Sequence, residues 1–371
     1  MVQSKNAASG DLRLELVGSL FRPTWLKEAF ARHRAGEMGE GELSAAQDRA
    51  IRDVIAKQEA AGLPVVNDGE YRRISFMESA TSSLNGLTFT GAGAPPDRPV
   101  KPGTRESTST EQLDLTGPIS VRRNLPLEEY QFARQVATRP VKVTLLGPDR
   151  LVRRHRWRGV YASEDEYVHD FVSGYRQIVG ELVAEGCRYI QIDGPEYTAY
   201  VDPPSLERMR SQGENPERNL ERAIAMDNAI MAGFTGVTFG LHICRGNRQG
   251  MYHREGSYDA IAERLLGSLN YDRFLLEYDS ERAGGFEPLR FVPKVRTAVL
   301  GLVTTKFPEV ERANDLKARI EQASRFLDPA QLALSPQCGF GSGLPGDEVF
   351  SEDVQWKKIE VIREVATHVW G

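Results

Sequence analysis

Apolar residues recur along this chain in two alternating rhythms. Short runs, apolar nearly throughout and bounded by Gly, Pro, Asn or Asp, read as buried strands. Longer stretches with apolar residues three and four apart read as helices that bury one face. Strands are expected over 12–20, 64–67, 141–146, 188–192, 237–243, 273–276, 297–303 and 331–334. Helices are expected over 43–61, 164–185, 216–232, 258–269, 310–327 and 352–369. The second of these is apolar at Tyr167, Phe171, Tyr175, Ile178 and Leu182. Residues 1–11 carry neither rhythm and are expected to be disordered. Residues 84–124, rich in Gly, Pro, Thr and Ser, read as an excursion of hairpin form rather than a linker. Eight short strands mostly alternating with helices predict an α/β chain of the (β/α)8 TIM-barrel type. The expected domain is a single catalytic barrel over 1–371, with the Gly/Pro-rich insertion 84–124 after its second strand.

Composition narrows the class of function. The 371 residues are 40% hydrophobic and 27% charged, with a formal net charge of -5. That balance gives no nucleic-acid and no membrane partner. One basic run, Arg153-Arg154-His155-Arg156-Trp157-Arg158, reads as a solvated face or a contact between copies in a homo-oligomer. Three cysteines are too few and odd for a disulfide framework and suit a reducing compartment. The start, MVQSKNAASG, has no apolar signal core. The expectation is a cytoplasmic protein.

In an α/β barrel the chemistry sits at the C-terminal ends of the strands. The polar residues expected there are Ser19, Asp68, Glu70, Asp193, His242, Cys244, Glu277, Lys306 and Cys338. His242 and Cys244 stand two apart, so they leave the same face of one strand. Nitrogen beside sulfur suits zinc better than magnesium or calcium. With Glu277 and Cys338 from two further strand ends, the set His242, Cys244, Glu277, Cys338 offers four donors for tetrahedral Zn2+. The plain alternative is that both cysteines are small buried hydrophobes and His242 a satisfied core histidine. Arg245, in Arg245-Gly246-Asn247-Arg248, is a candidate to hold an anionic tail of a substrate. A solvated loop is the alternative. Arg72-Arg73 reads either as a second anion site or as structural ion pairs. Cys187, at the opposite end of its strand, reads as structural.

The order His242-x-Cys244, then Glu277 in Leu276-Glu277-Tyr278-Asp279-Ser280, then Cys338 in Ser335-Pro336-Gln337-Cys338-Gly339 resembles the C-terminal catalytic barrel of cobalamin-independent methionine synthase. The likeness runs from Val17-Gly18-Ser19 to the final helix. It implies that the four residues hold the zinc that activates homocysteine. It also implies substrate-binding roles. Gly18 and Ser19 would hold the homocysteine backbone, and Glu70 would take its amino group. Asp193, in Gln191-Ile192-Asp193-Gly194-Pro195, would be the second such carboxylate. The chain departs from the pattern in two places. Lys306 stands near the family's catalytic histidine, and Leu145-Leu146-Gly147-Pro148 lacks the family's tryptophan. Methyltetrahydrofolate is therefore expected to be a poor donor.

The chain resembles the short, single-barrel members of the superfamily, one branch of which opens epoxides with coenzyme M. Two activities follow. The first is zinc-dependent methyl or alkyl transfer from an alkyl donor to a small-molecule thiol. The alternative is epoxide opening by a thiol, with Arg245 or Arg248 on a sulfonate. Asp193 and Lys306 are the catalytic candidates for protonating a leaving group, against a surface or helix-start reading of Lys306.

Overall fold

The structure, a computed structural model, describes residues 12–89, 113–153, 157, 159–342 and 349–371. The expected disorder of 1–11 and the middle of the 84–124 excursion lie outside these residues. Two strands flank the undescribed stretch, β1 (Leu84–Phe89) and β2 (Leu113–Val121), paired antiparallel.

Six strands then form one parallel sheet in chain order: β3 (Lys142–Leu146), β4 (Tyr189–Asp193), β5 (Thr238–Ile243), β6 (Arg273–Glu277), β7 (Thr297–Val303) and β8 (Leu332–Pro336). β3, β4 and β6 to β8 are buried along their whole length. Burial on both faces explains why they read as apolar runs rather than alternations. The eight-stranded ring expected from the sequence is reduced to this six-stranded sheet. The first two expected strands touch its edges through single bridges, Leu14 to Leu334 and Val66 to Val141. The Leu20 N–H reaches the Gly69 carbonyl at 3.1 Å. Pro64 has no N–H to give and Asn67-Asp68-Gly69 turns at once, so the second segment is too short for a ladder.

The expected helices form with shifted ends, at Glu40–Ala60, Glu164–Ala184, Pro216–Met231, Ala313–Ala323 and Glu352–Trp370. The stretch 258–269 divides into a 3-10 turn, Tyr258–Ala260, and a helix, Ala262–Ser268. Glu164–Ala184 shows why the rhythm is informative. Ser163 caps it by accepting from the Glu166 N–H at 3.2 Å, three acidic residues fill its first turn, and its apolar stripe is buried. Among the described residues five further helices, Thr24–Arg34, Phe76–Ser83, Leu125–Val136, Pro148–Val152 and Pro203–Ser211, were not expected. Each is short, and three carry proline in the first turn, where it is tolerated.

The inner face of the sheet is layered. Leu275, Val299 and Ala333 are register partners on β6, β7 and β8 and pack with Val17. Below them lies a buried ionic group. Glu15 accepts from Lys142 Nζ at 2.9 Å, Arg273 Nε at 2.7 Å and Tyr189 OH at 2.6 Å. Above them the strands end in Asp193, His242 and Glu277. Among the described residues no helix is long and apolar enough to cross a membrane.

Candidate active site

β5 places His242 and, one step beyond its end, Cys244 on the inner face. The loop after β8 brings Cys338 to them. Three ties hold these loops together. Asn247 Nδ2 donates to the Gly339 carbonyl at 2.9 Å and to Thr305 Oγ1 at 2.8 Å. Gln337 Oε1 accepts from the Thr305 N–H and hydroxyl at 2.8 and 2.6 Å. The Gln337 N–H reaches the Val303 carbonyl at 2.8 Å. As a result one donor atom each from His242, Cys244 and Cys338 lies within 4.8 Å of the others, and all three residues are buried.

Among the described residues neither ring nitrogen of His242 makes a hydrogen bond to a nitrogen or oxygen. A buried histidine in that state has an unmet demand for a partner. A hydrogen bond from Cys338 holds Cys244 well below the usual thiol range, and the same bond pushes Cys338 well above it. Burial would lower the His242 pKa, but the neighbouring Cys244 outweighs it and the value rises. A nitrogen and two sulfurs gathered in this way are a donor set of the kind zinc takes.

Glu277 lies outside this close group. Its Oε2 accepts from the Arg245 N–H at 2.7 Å, and its Oε1 faces Arg282 at 3.3 Å and Lys306 at 3.5 Å. Burial raises its pKa despite Lys306. Asp279 differs: burial would raise its pKa, but Lys306 and Arg282 together lower it.

Two sequence expectations are corrected by these contacts. Arg245 does not face the cleft. Its guanidinium donates to Tyr258 OH at 2.9 Å and the Gly256 carbonyl at 2.6 Å, and lies over the Tyr258 ring. Arg248, three residues on, lines the cleft instead. Lys306 is neither a surface lysine nor a cleft-lining one. Its side chain is fully buried, with the ammonium against Glu277 and Asp279. The adjoining carboxylates make that burial tolerable.

The cleft over the strand ends is lined by Ser19, Glu70, Asp193, His242, Cys244 and Cys338, among others. Its empty space, open mouth included, is about 1130 Å³. Glu70 reaches it from an uncommon backbone: its φ is 59°, after Gly69 at 68°. A left-handed non-glycine residue costs roughly 1–2 kcal/mol and persists where surrounding contacts over-determine it. Here they do. The Glu70 N–H donates to Asp68 Oδ1 at 2.9 Å, its carbonyl accepts from Arg22 at 3.1 Å, and its Oε1 accepts from Thr144 at 2.7 Å. Gly18 makes room for that carboxylate, since a Cβ there would stand 2.6 Å from Glu70 Oε1. Gly18 therefore shapes the cleft without lining it.

Asp193 is raised to about 7, first by burial and then by Glu70. It can therefore give or take a proton near neutral pH.

Arg72 and Arg73 are in ion pairs, with Asp48 and Glu129 respectively. Arg153, from the basic run, pairs with Glu196 at 3.3 Å; residues 154–156 and 158 lie outside the described residues. Cys187 is buried and donates to the Tyr189 carbonyl at 3.4 Å, with its thiol pushed up to about 12 by burial. Sequence reasoning missed Ser342, His253 and Arg150 in the cleft wall. Only Ser342 had a signal, its place in the glycine-rich run after Cys338.

The family profile described as "Cobalamin-independent synthase, Catalytic domain" matches residues 15–352. The chain belongs to this family, and so to the methyltransferases of the methionine synthase type. It is 35% identical to the uncharacterized protein YxjH of Bacillus subtilis, over 96% of this chain and 94% of that one. It is 27% identical to the methionine synthase of Sulfurisphaera tokodaii, over 87% and 84% of the two chains. Among solved structures it is similar to a Listeria monocytogenes protein assigned as a vitamin-B12-independent methionine synthase. That likeness has a TM-score of 0.75 at 26% identity and covers 96% of this chain and 97% of that one. A B12-independent methionine synthase from Shewanella, solved in complex with selenomethionine, has a TM-score of 0.73 at 21% identity, over 96% and 97%.

Proposed function

We propose that this chain is a zinc-dependent methyltransferase that alkylates the sulfur of an amino-acid thiol, with homocysteine as the acceptor. One observation carries the reading: three metal-capable donors, His242, Cys244 and Cys338, converge in a cleft whose wall also presents Glu70 and Asp193. His242, Cys244 and Cys338 would hold the ion directly. Glu277, tied to the Arg245 N–H, would lie beside it. Zinc bound there would keep the acceptor sulfur ionised near neutral pH.

The remaining work falls to the chain itself. Glu70 and Asp193 take the acceptor's ammonium group and fix the sulfur's approach. Ser19 sits beside the Cys338 loop, its hydroxyl 3.4 Å from that of Ser342, to meet the acceptor backbone. Asp193, near its own pKa, can protonate a departing donor group. Holding donor carbon and sulfur in line supplies the rest. Lys306 acts behind the site, neutralising Glu277 and Asp279.

The epoxide-opening alternative draws no support from Arg245, which faces away from the cleft, and keeps only Arg248, which lines it, for a sulfonate. The two edge segments are read as completing an eight-stranded barrel within one domain, with 84–124 inserted in it. Free cysteines at 187, 244 and 338 fit a cytoplasmic setting.

The test is product formation. Zinc-loaded protein is incubated with homocysteine and a panel of methyl donors, and methionine is followed by mass spectrometry. The expected result is methionine from at least one donor, with methyltetrahydrofolate a poor one. Alkylation of a sulfonate thiol by an epoxide, with none of homocysteine, would overturn the reading.

A further inference from the structure

Two buried relays lead to the two cleft carboxylates, and their hydrogen-bond directions are fixed by chemistry. The first begins at Lys142, held by Glu15 at 2.9 Å. Lys142 Nζ donates to Gln191 Oε1 at 2.8 Å. An ammonium has only donors, so the amide oxygen must face it and the amide nitrogen must face the other way. That nitrogen donates to Asp193 Oδ1 at 2.7 Å. The second relay begins at Arg73, held by Glu129 at 2.7 Å. Arg73 donates to Thr144 Oγ1 at 2.9 Å. A guanidinium also has only donors, so the single hydroxyl proton of Thr144 must go onward. It goes to Glu70 Oε1 at 2.7 Å.

The relays are twins. Thr144 and Gln191 are register partners on β3 and β4. Each carries a buried cation's polarisation to one carboxylate oxygen, and Arg73 also faces Glu70 Oε1 directly at 3.4 Å. Among the described residues, neither Glu70 Oε2 nor Asp193 Oδ2 takes a hydrogen bond in turn. Both residues line the cleft.

Resting on the amino-acid-thiol reading, we infer that Thr144 and Gln191 are positioning residues that select a primary ammonium group. They commit one oxygen of Glu70 and one of Asp193 to the interior and leave the other of each to the cleft. Two anchored oxygens, acceptors when their carboxylates are ionised, suit a cation with several N–H donors. A thiol without that group leaves both cleft-facing oxygens without a donor from the ligand.

The test uses the full-length, zinc-loaded protein and two probes, L-homocysteine and its des-amino analogue, which lacks only the ammonium group. Calorimetry gives Kd for both in the wild type, Thr144→Val, Gln191→Leu and Thr144→Ser. The wild type should prefer the amino thiol. Thr144→Val and Gln191→Leu should each reduce that preference about tenfold, the worth of one charge-assisted hydrogen bond. Zinc content and the affinity for the des-amino probe should stay within about twofold, because neither residue touches the metal donors. Thr144→Ser, which keeps the hydroxyl, should retain the preference; a structural role alone would not separate Ser from Val in this ratio. If the wild type prefers the amino thiol and both Thr144→Val and Gln191→Leu keep that preference, the relay is overturned while the acceptor reading stands. A wild type with no preference overturns the acceptor reading and this inference with it.

Discussion

Cys244→Ser and Cys338→Ser are each expected to strip the protein of its metal and its activity while leaving the fold intact. A hydroxyl does not ionise at neutral pH and is a poor zinc donor beside a thiolate. Losing one of three protein donors should weaken zinc binding beyond the roughly 10–100-fold typical of outer-shell changes. Neither cysteine belongs to the hydrophobic clusters of the core. The unfolding temperature of the metal-free forms should therefore match that of the metal-free wild type within about 2 °C. Metal analysis after dialysis, with circular dichroism beside it, checks both halves. Full zinc retention in the two variants would remove these residues from the site.

Glu15→Gln is expected to have the largest effect on stability. Glu15 is fully buried and is the anion shared by Lys142 and Arg273. Removing its charge takes from two buried cations the anion they share, a loss of about 3–5 kcal/mol. For a chain of this length that lowers Tm by roughly 5 °C. The same group makes a pH prediction. Burial alone would raise the Glu15 pKa, but Lys142 and Arg273 overcome it and lower the value from 4.5 to about 2. Its folded pKa is depressed, so its contribution is complete above about 4.5 and is lost as pH falls toward about 2. Wild-type stability should fall across that window by about 3 kcal/mol more than that of Glu15→Gln. Parallel acid-stability curves for the two proteins would contradict this account of the buried triad. Lys142 also heads the relay to Asp193, so Glu15→Gln should weaken acceptor binding as well.

The parts of this molecule that a local pattern specifies were legible in the sequence. β5 ends where Gly and Asn follow an apolar run, and His242-x-Cys244 puts two donors on one face by period alone. β7 and the helix Glu164–Ala184 fall at or within a residue of their expected bounds. The closed eight-stranded ring did not follow in the same way. Segments 12–20 and 64–67 have apolar residues but too little regular backbone to form ladders. Thr24–Arg34 was missed because its buried stripe, Leu26, Ala29 and Phe30, is only three residues long.

The site was legible in its donors and obscure in its cations. Sequence spacing says that Arg245 follows a metal donor, but not which way the guanidinium turns. It turned inward because Tyr258 and Gly256 supplied acceptors there. Lys306 read as a catalytic candidate at a strand end, or else as a surface or helix-start lysine; Glu277 and Asp279 at its tip hold it buried instead. Thr144 carried no signal, and Gln191 only its place in the motif around Asp193, since their significance lies in the register between β3 and β4.

The measurement that tests the central claim most directly is zinc-edge X-ray absorption on the purified protein, with and without homocysteine. The account predicts a bound zinc with two sulfur neighbours and nitrogen or oxygen for the rest, gaining one sulfur when homocysteine is added. A protein that binds no zinc, or a zinc shell whose sulfur count does not change with the thiol, would contradict it.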